Sequence, residues 1–184
     1  MKTIFCVGGG PSLVGFDWRV LKGQFVIAVN RAFEVVPCAE YVYFSDARFW
    51  NWYAGALRLH AGIKITVDRQ VKDKDVINYR ATGTFGLDLI PGQLRTGNSS
   101  GFAAINLAAQ MKPSKIVLLG YDMKYTDRTH WHDGYPVRSG RIEKMIAFFP
   151  TLVEPLKELG IDIVNANPDS ALECFRKETI DEFC

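Results

Sequence analysis

The chain has 184 residues, 48% of them of hydrophobic type, and a formal net charge of +2. That length and composition support a core that needs no disulfide or metal staples, and we expect one domain over residues 1–184. A near-neutral charge without a run of five like charges excludes a general nucleic-acid binder, no apolar stretch approaches the ~20 residues of a membrane span, and too few apolar residues follow Lys2 for a signal peptide.

The first predicted element is a buried strand at 4–7 within Thr3-Ile4-Phe5-Cys6-Val7, which runs into the turn Gly8-Gly9-Gly10-Pro11-Ser12-Leu13. Strands follow at 25–30, ending in Asn30, and at 41–45, ending in Ser45. A helix rich in Trp, Tyr, Leu and Ala is predicted over 47–60, then a strand at 63–67. Residues 72–97 show weak periodicity and read as short strands and turns. The turn Thr96-Gly97-Asn98-Ser99-Ser100-Gly101 opens a helix at 100–111, and a strand at 115–120 ends in Gly120-Tyr121-Asp122. Residues 121–140 form a long polar and aromatic loop, of a length usually reserved for function. Helical spacing resumes over 141–159, kinked or split by Pro150 and Pro155, with Gly160 as its C-cap, before a last strand at 161–165.

Alternating strands and helices predict an α/β fold of three layers: a mostly parallel sheet with helices on both faces. Ligands of such sheets bind beyond the carboxyl ends of the strands, at the switch point. Both glycine turns, Asn30, Ser45-Asp46 and Gly120-Tyr121-Asp122 lie just past strand ends, so they are expected to share one crevice. The cysteines stand at 6, 38, 174 and 184, without CxxC or zinc spacing. They point to a reducing compartment, and we expect a soluble, cytoplasmic protein.

Each motif has a chemical reading and a plainer one. Gly8-Gly9-Gly10-Pro11-Ser12 is not a dinucleotide fingerprint, because Leu13 stands where glycine is needed, and it lacks the lysine of a P-loop. Its backbone N–H groups suit a phosphate; the plainer reading is a tight turn. Ser99-Ser100-Gly101 supplies an N-cap hydroxyl and close backbone access at a helix N-terminus, or a simple cap. Asn30 suits a base, a ribose or its own turn. Asp122 suits a ribose hydroxyl, a metal or a helix cap. In His130-Trp131-His132 the two rings face one side if the segment is extended. They then serve as a general base, or stand in solvent; a metal would need a third ligand. His60 reads as a surface or capping residue. Tyr121, Tyr125, Tyr135, Lys124 and Arg128 offer phosphate-directed donors, and Arg31, Arg48 and Arg95 lie near strand ends or glycine turns, where a phosphate charge could be balanced.

The ordered set GGGPSL, AVNRAF, YFSDARFW, TGNSSGFAAINLA, KIVLLGYDM, a histidine loop and GIDIVNANPDSAL resembles a Rossmann-like superfamily. That group holds bacterial lipooligosaccharide sialyltransferases, motility-accessory-factor-like proteins and archaeal pterin pyrophosphokinases. The resemblance spans nearly the whole chain and rests on the order of short motifs. It implies a cytidine nucleotide held by the first glycine turn and the Asn at the end of the second strand, which match Gly8, Gly10, Pro11, Ser12 and Asn30. The family's second asparagine falls on Ser45, a departure that bears on base or sugar recognition. Its Thr-Ser-Gly turn matches Ser99, Ser100 and Gly101, and its Gly-x-Asp matches Gly120, Tyr121 and Asp122. Its phosphate-directed tyrosines fall on Tyr125 or Tyr135. Its catalytic histidine falls in the loop of His130 and His132, with His132 marginally favoured. Asn167-Pro168-Asp169-Ser170-Ala171-Leu172 resembles the family's terminal Cys-Pro-Asn-Ser-Leu-Leu. The chain looks like a trimmed, phage-borne member with little of the acceptor-covering lid.

The resemblance implies a nucleotide-dependent transferase, a glycosyltransferase with a nucleoside-phosphate sugar donor, a histidine base and no required cofactor. One alternative is a pyrophosphokinase-like enzyme whose Mg²⁺ is held by Asp46 and Asp122. Another is a nucleotide-binding module without catalysis, acting through a partner. For that module Phe49, Trp50, Trp52 and Tyr53 would form an interaction patch; a helix face packed on the sheet is the favoured reading of them. Acceptor and base stay open, as does a homo-oligomer.

Overall fold

The computed structural model describes residues 2–124, 127, 130–133 and 142–183, Glu182 by its backbone alone. Ten strands are described. They are β1 (Thr3–Val7), β2 (Phe25–Val29), β3 (Tyr41–Phe44), β4 (Ile63–Thr66), β5 (Val76–Asn78), β6 (Arg80–Gly83), β7 (Gln93–Arg95), β8 (Lys115–Leu119), β9 (Asp162–Asn165) and β10 (Arg176–Lys177). Eight form one sheet in the order β10-β9-β8-β1-β2-β3-β4-β5, and β6 pairs with β7 apart from it. Every described pair is parallel. The chain moves outward from β1 to β5, then returns to lay β8 on the other side of β1. The switch point therefore lies between the carboxyl ends of β1 and β8.

Helices cover both faces: α1 (Ala47–Leu59) and α2 (Ser100–Gln110), followed by α3 (Ile142–Ile146) and α4 (Val153–Glu158). The period-2 alternation of a strand divides the core between them. Ile4 and Cys6 of β1 pack with Phe102, Ala103 and Ile105 of α2 and with Leu156 of α4. Phe5 and Val7 face the other way, with Phe49, Trp50 and Leu57 of α1. Phe49 and Trp50 are thus core residues of a packed helix, while Trp52 stays 42% exposed. The fold class read from the sequence holds.

Three local differences bear on the site. The crossover from β1 to β2 has no α-helix, only 3-10 turns at Pro11–Leu13 and Trp18–Leu21. Gly15 and Gly23, both at positive φ, break the segment. The predicted helix at 141–159 is split at Pro150, which opens a 3-10 turn at Phe149–Leu152 between α3 and α4, whereas Pro155 is accommodated in the first turn of α4. Residues 72–97 do form short strands and turns, fastened to α2 by two polar side chains. Asn106, fully buried, accepts from the backbone N–H of Arg95 (2.6 Å) and Asp88 (3.2 Å) and donates to Asp88 O (2.8 Å). Gln110 donates to Gln93 O (2.6 Å) and Asp88 O (2.9 Å). The two-residue β10 carried no sequence signal.

Candidate functional site

A cavity of about 620 Å³ opens at the carboxyl ends of β1, β2, β3, β4 and β8, a size typical of small-molecule sites. Gly8, Gly9, Gly10 and Pro11 form one wall, Thr96, Asn98, Ser99, Ser100 and Gly101 another. Asn30, Ser45, Gly120, Tyr121, Asp122 and His130 complete the polar part, and Arg48, Trp52, Val67, Ala81, Ile142 and Met145 extend it. Among the described residues four non-glycine residues have positive φ, and three of them, Asn30 (52°), Asn98 (53°) and Met123 (48°), line this space. Such backbone clusters at functional sites.

The first glycine turn spends most of its donors inside the protein. Gly8 N–H donates to Leu119 O (2.7 Å), Gly10 N–H to Gly120 O (2.8 Å) and Ser12 N–H to Asp122 Oδ2 (2.7 Å). Asp122 also accepts from the Ser12 hydroxyl (2.5 Å) and from Asn167 Nδ2 (2.9 Å). The expectation of a phosphate cradle at this turn thus meets a zipper between the chain after β1 and the chain after β8. Glycine is needed because the two approach so closely: a Cβ on Gly8 would lie 2.8 Å, and one on Gly10 2.6 Å, from Gly120 O. Tyr121 is a shim below both turns. Its ring would stand 2.8 Å from a Cβ on Gly101 and 3.3 Å from one on Gly8, and its hydroxyl donates to Gly101 O (3.1 Å). Burial raises its pKa well above the ordinary phenol value. Asn165 and Ser170 brace Tyr121 O from below, at 3.2 and 2.6 Å.

The N-terminus of α2 is different. Ser99 occupies the N-cap, yet its side chain makes no capping bond. The Ser100 hydroxyl donates to Ser45 Oγ (2.8 Å), tying α2 to the end of β3. The first N–H groups of a helix have no partner within it and carry the positive end of its dipole. This is where the cavity can hold an anion.

The two loop histidines stack at 4.9 Å and 19° between planes. His130 lines the cavity above Gly9. His132 is not among the lining residues: it is 9% exposed, and its Nδ1 lies 3.1 Å from Arg31 Nη1. Burial, then Arg31, then His130 push the His132 pKa down to about 4. Burial first and Arg31 second lower that of His130. Trp131 holds the segment down, with its backbone N–H on Gly9 O (3.0 Å), its indole N–H on Gly8 O (3.3 Å) and its ring 5.6 Å from Trp18.

The structure thus gathers Gly8, Gly9, Gly10, Pro11, Asn30, Ser45, Ser99, Ser100, Gly101, Gly120, Tyr121, Asp122 and His130 around one space. Ser12 and His132 sit behind it. Tyr125, Tyr135 and Arg128 lie outside the described residues. Asp46, read with Asp122 as a Mg²⁺ pair, caps α1 through Phe49 N–H (3.2 Å) and lies 3.5 Å from Arg48. The Asp122 carboxylate accepts from three donors, Ser12 N–H, the Ser12 hydroxyl and Asn167 Nδ2. Of the arginines, Arg48 lines the cavity, whereas Arg95 and Arg31 do not. His60 is the C-cap of α1, as one of its two readings expected, but it is buried rather than at the surface, with its Nδ1 accepting from Gly62 N–H (3.0 Å). Sequence reasoning missed Val67, Ala81, Ile142 and Met145 as cavity residues. They come from three separate places, the end of β4, β6 and α3, and no motif marks them.

No family model matches the chain, and no curated protein sequence does. Among the described residues no helix is long and apolar enough to cross a membrane. A solved structure of the sialyltransferase CstII from Campylobacter jejuni, in complex with a substrate analogue, cytidine-5'-monophosphate, is similar to this chain at a TM-score of 0.62 and 15% identity. The similarity covers 97% of this chain and 85% of that one. At that identity it is the fold that is shared: a Rossmann-like sheet, also found in a nucleotide-binding transferase.

Proposed function

We propose that this protein is a nucleotide-dependent transferase of the glycosyltransferase class. It holds a nucleoside-phosphate sugar in the cavity at the switch point. The observation that carries this reading is the meeting, in one cavity, of the α2 N-terminus with its non-capping Ser99, Asn30 at the end of β2, and His130. The likeness to a sialyltransferase fold supports it.

In this reading the donor phosphate sits at the N–H groups of Ser100 and Gly101 and the Ser99 hydroxyl. Asn30, Ser45 and Asn98 meet the nucleoside or sugar hydroxyls. His130, rather than His132, takes the proton of the acceptor hydroxyl, because it is the ring that faces the cavity. The acceptor oxygen forms its bond to the anomeric carbon while the carbon–phosphate oxygen bond breaks. The leaving nucleoside phosphate keeps that electron pair, stabilised by the fixed dipoles of α2. Tyr125 or Tyr135 adds a donor to the same phosphate.

A thermal-shift screen with CMP, UMP, GDP, AMP and ATP, with and without Mg²⁺, tests the reading. Ligand at a hundred times its Kd stabilises by about 2.7 kcal/mol, or roughly 5–10 °C for a chain of this size. His130→Gln should keep that shift and lose turnover of any donor identified. A response that appears only with Mg²⁺ would move the reading to the pyrophosphokinase-like class. No shift with any nucleotide refutes it.

A further inference from the structure

Arg31 follows Asn30 directly, in the 3-10 turn Asn30–Glu34 after β2, and a phosphate is the obvious partner to assign it. Its guanidinium is instead engaged away from the cavity. Nε and Nη2 donate to Glu34 Oε2 (2.9 and 2.7 Å), and Nη1 reaches His132 Nδ1 (3.1 Å) and donates to Asp133 O (3.0 Å). The same group lies 5.5 Å over the Tyr53 ring of α1. A guanidinium only donates, so His132 Nδ1 must accept and the ring proton of its neutral form is on Nε2. Protonating Nδ1 would set two N–H groups against each other. His132 in turn stacks on His130, the ring above Gly9.

We propose that Arg31 is a positioning residue for the histidine pair: locked by Glu34 and Tyr53, it fixes the tautomer and orientation of His132, and through the stack it presents an unprotonated His130 to the cavity. The proposal rests on the transferase reading for what His130 does, but not for how it is held. Among the described residues, the charged and titratable groups that meet the pair are Arg31, with Glu34 and Tyr53 behind it, and Asp133 of the loop itself. Burial leads and Arg31 follows in keeping both rings neutral. Asp133 opposes that at His132.

The chain has three histidines, so an NMR titration of the ring protons, assigned with His130→Gln and His132→Gln, reads each directly. The wild-type His132 midpoint should lie well below the ordinary ~6.5. Arg31→Leu should raise it by about one unit or more, and Arg31→Lys, which keeps the charge but not the fork, by less. His60, whose shift does not involve Arg31, is the internal reference. If Arg31→Leu does not fold, the Arg31→Lys and Arg31→Gln titrations decide. Midpoints of His130 and His132 that stay put in the folded variants overturn the proposal. With a donor in hand, Arg31→Leu should lower kcat by about tenfold or more and move the rising limb of the pH–rate profile upward, with CMP binding kept. Weakened CMP binding with unmoved titrations would instead make Arg31 a phosphate ligand and refute the positioning role. Absence of binding by any nucleotide would sink the transferase reading, while the titrations would still decide how the imidazoles are held.

Discussion

Asp122→Asn removes one charge and turns one carboxylate oxygen into an NH2 group with two N–H donors in a buried junction, and its cost follows from counting donors. The Asp122 carboxylate is 3% exposed and accepts from Ser12 N–H on Oδ2, and from the Ser12 hydroxyl and Asn167 Nδ2 on Oδ1. The hydroxyl can turn round and accept. Ser12 N–H cannot, and Asn167 is held in its orientation because its Oδ1 accepts from Asp169 N–H (3.0 Å). An asparagine at 122 has one oxygen for two obligate donors on opposite sides, so one donor pair is frustrated in either amide orientation. An unsatisfied buried donor costs about 1–3 kcal/mol, and the remaining bonds lose the strength of an ionised acceptor. The expected destabilisation is about 2–4 kcal/mol, measured by urea unfolding with linear extrapolation. The exchange Asp122→Asn with Asn167→Asp restores a matched donor and acceptor. It should recover at least about 1 kcal/mol as coupling in the double-mutant cycle. A single variant within about 0.5 kcal/mol of wild type, or a cycle without coupling, would show that Asp122 does not bolt the two turns together.

Gly10→Ala should destabilise by about 1–3 kcal/mol, since its Cβ meets backbone Gly120 O at 2.6 Å; an unchanged urea midpoint would contradict the zipper. Gly15→Ala has open space around it but a φ of 76°, so only the left-handed strain of about 1–2 kcal/mol applies. Asn106→Leu strands two backbone N–H groups, of Arg95 and Asp88, and should cost about 2–5 kcal/mol, with hydrogen exchange accelerating first in residues 80–95. The His132 imidazole, neutral in the fold with a pKa near 4, binds a proton more readily once unfolded. Stability from this group is therefore complete above about pH 6.5 and lost as pH falls towards 4, by at most about 3 kcal/mol. Urea midpoints between pH 7.5 and 4.5 should fall more steeply for wild type than for His132→Gln; parallel curves would refute the shift.

The local pattern of the chain determined the layers. Short continuous apolar runs such as Phe25–Val29 suit strands covered on both sides, and the turn residues after them fall at one edge because the described strands of the main sheet pair in parallel. The sequence therefore predicted most of the polar residues that meet around the cavity, though not Val67, Ala81, Ile142 or Met145, and also the break at Pro150. It did not determine what the glycines are for. Gly8, Gly10 and Gly101 carry the signature of a phosphate loop, yet their hydrogens are required by Gly120 O, Asp122 and the Tyr121 ring, groups 20 to 113 residues away that only the sheet order brings beside them. Nor could it separate two histidines two residues apart: pairing His132 with Arg31, 101 residues earlier, leaves His130 to face the cavity. Periodicity is a property of neighbours along the chain, and it sets strands and helices. Close approach, burial and the direction of a side chain are properties of neighbours in space, and here they decided which groups hold the fold and which are left to meet a ligand.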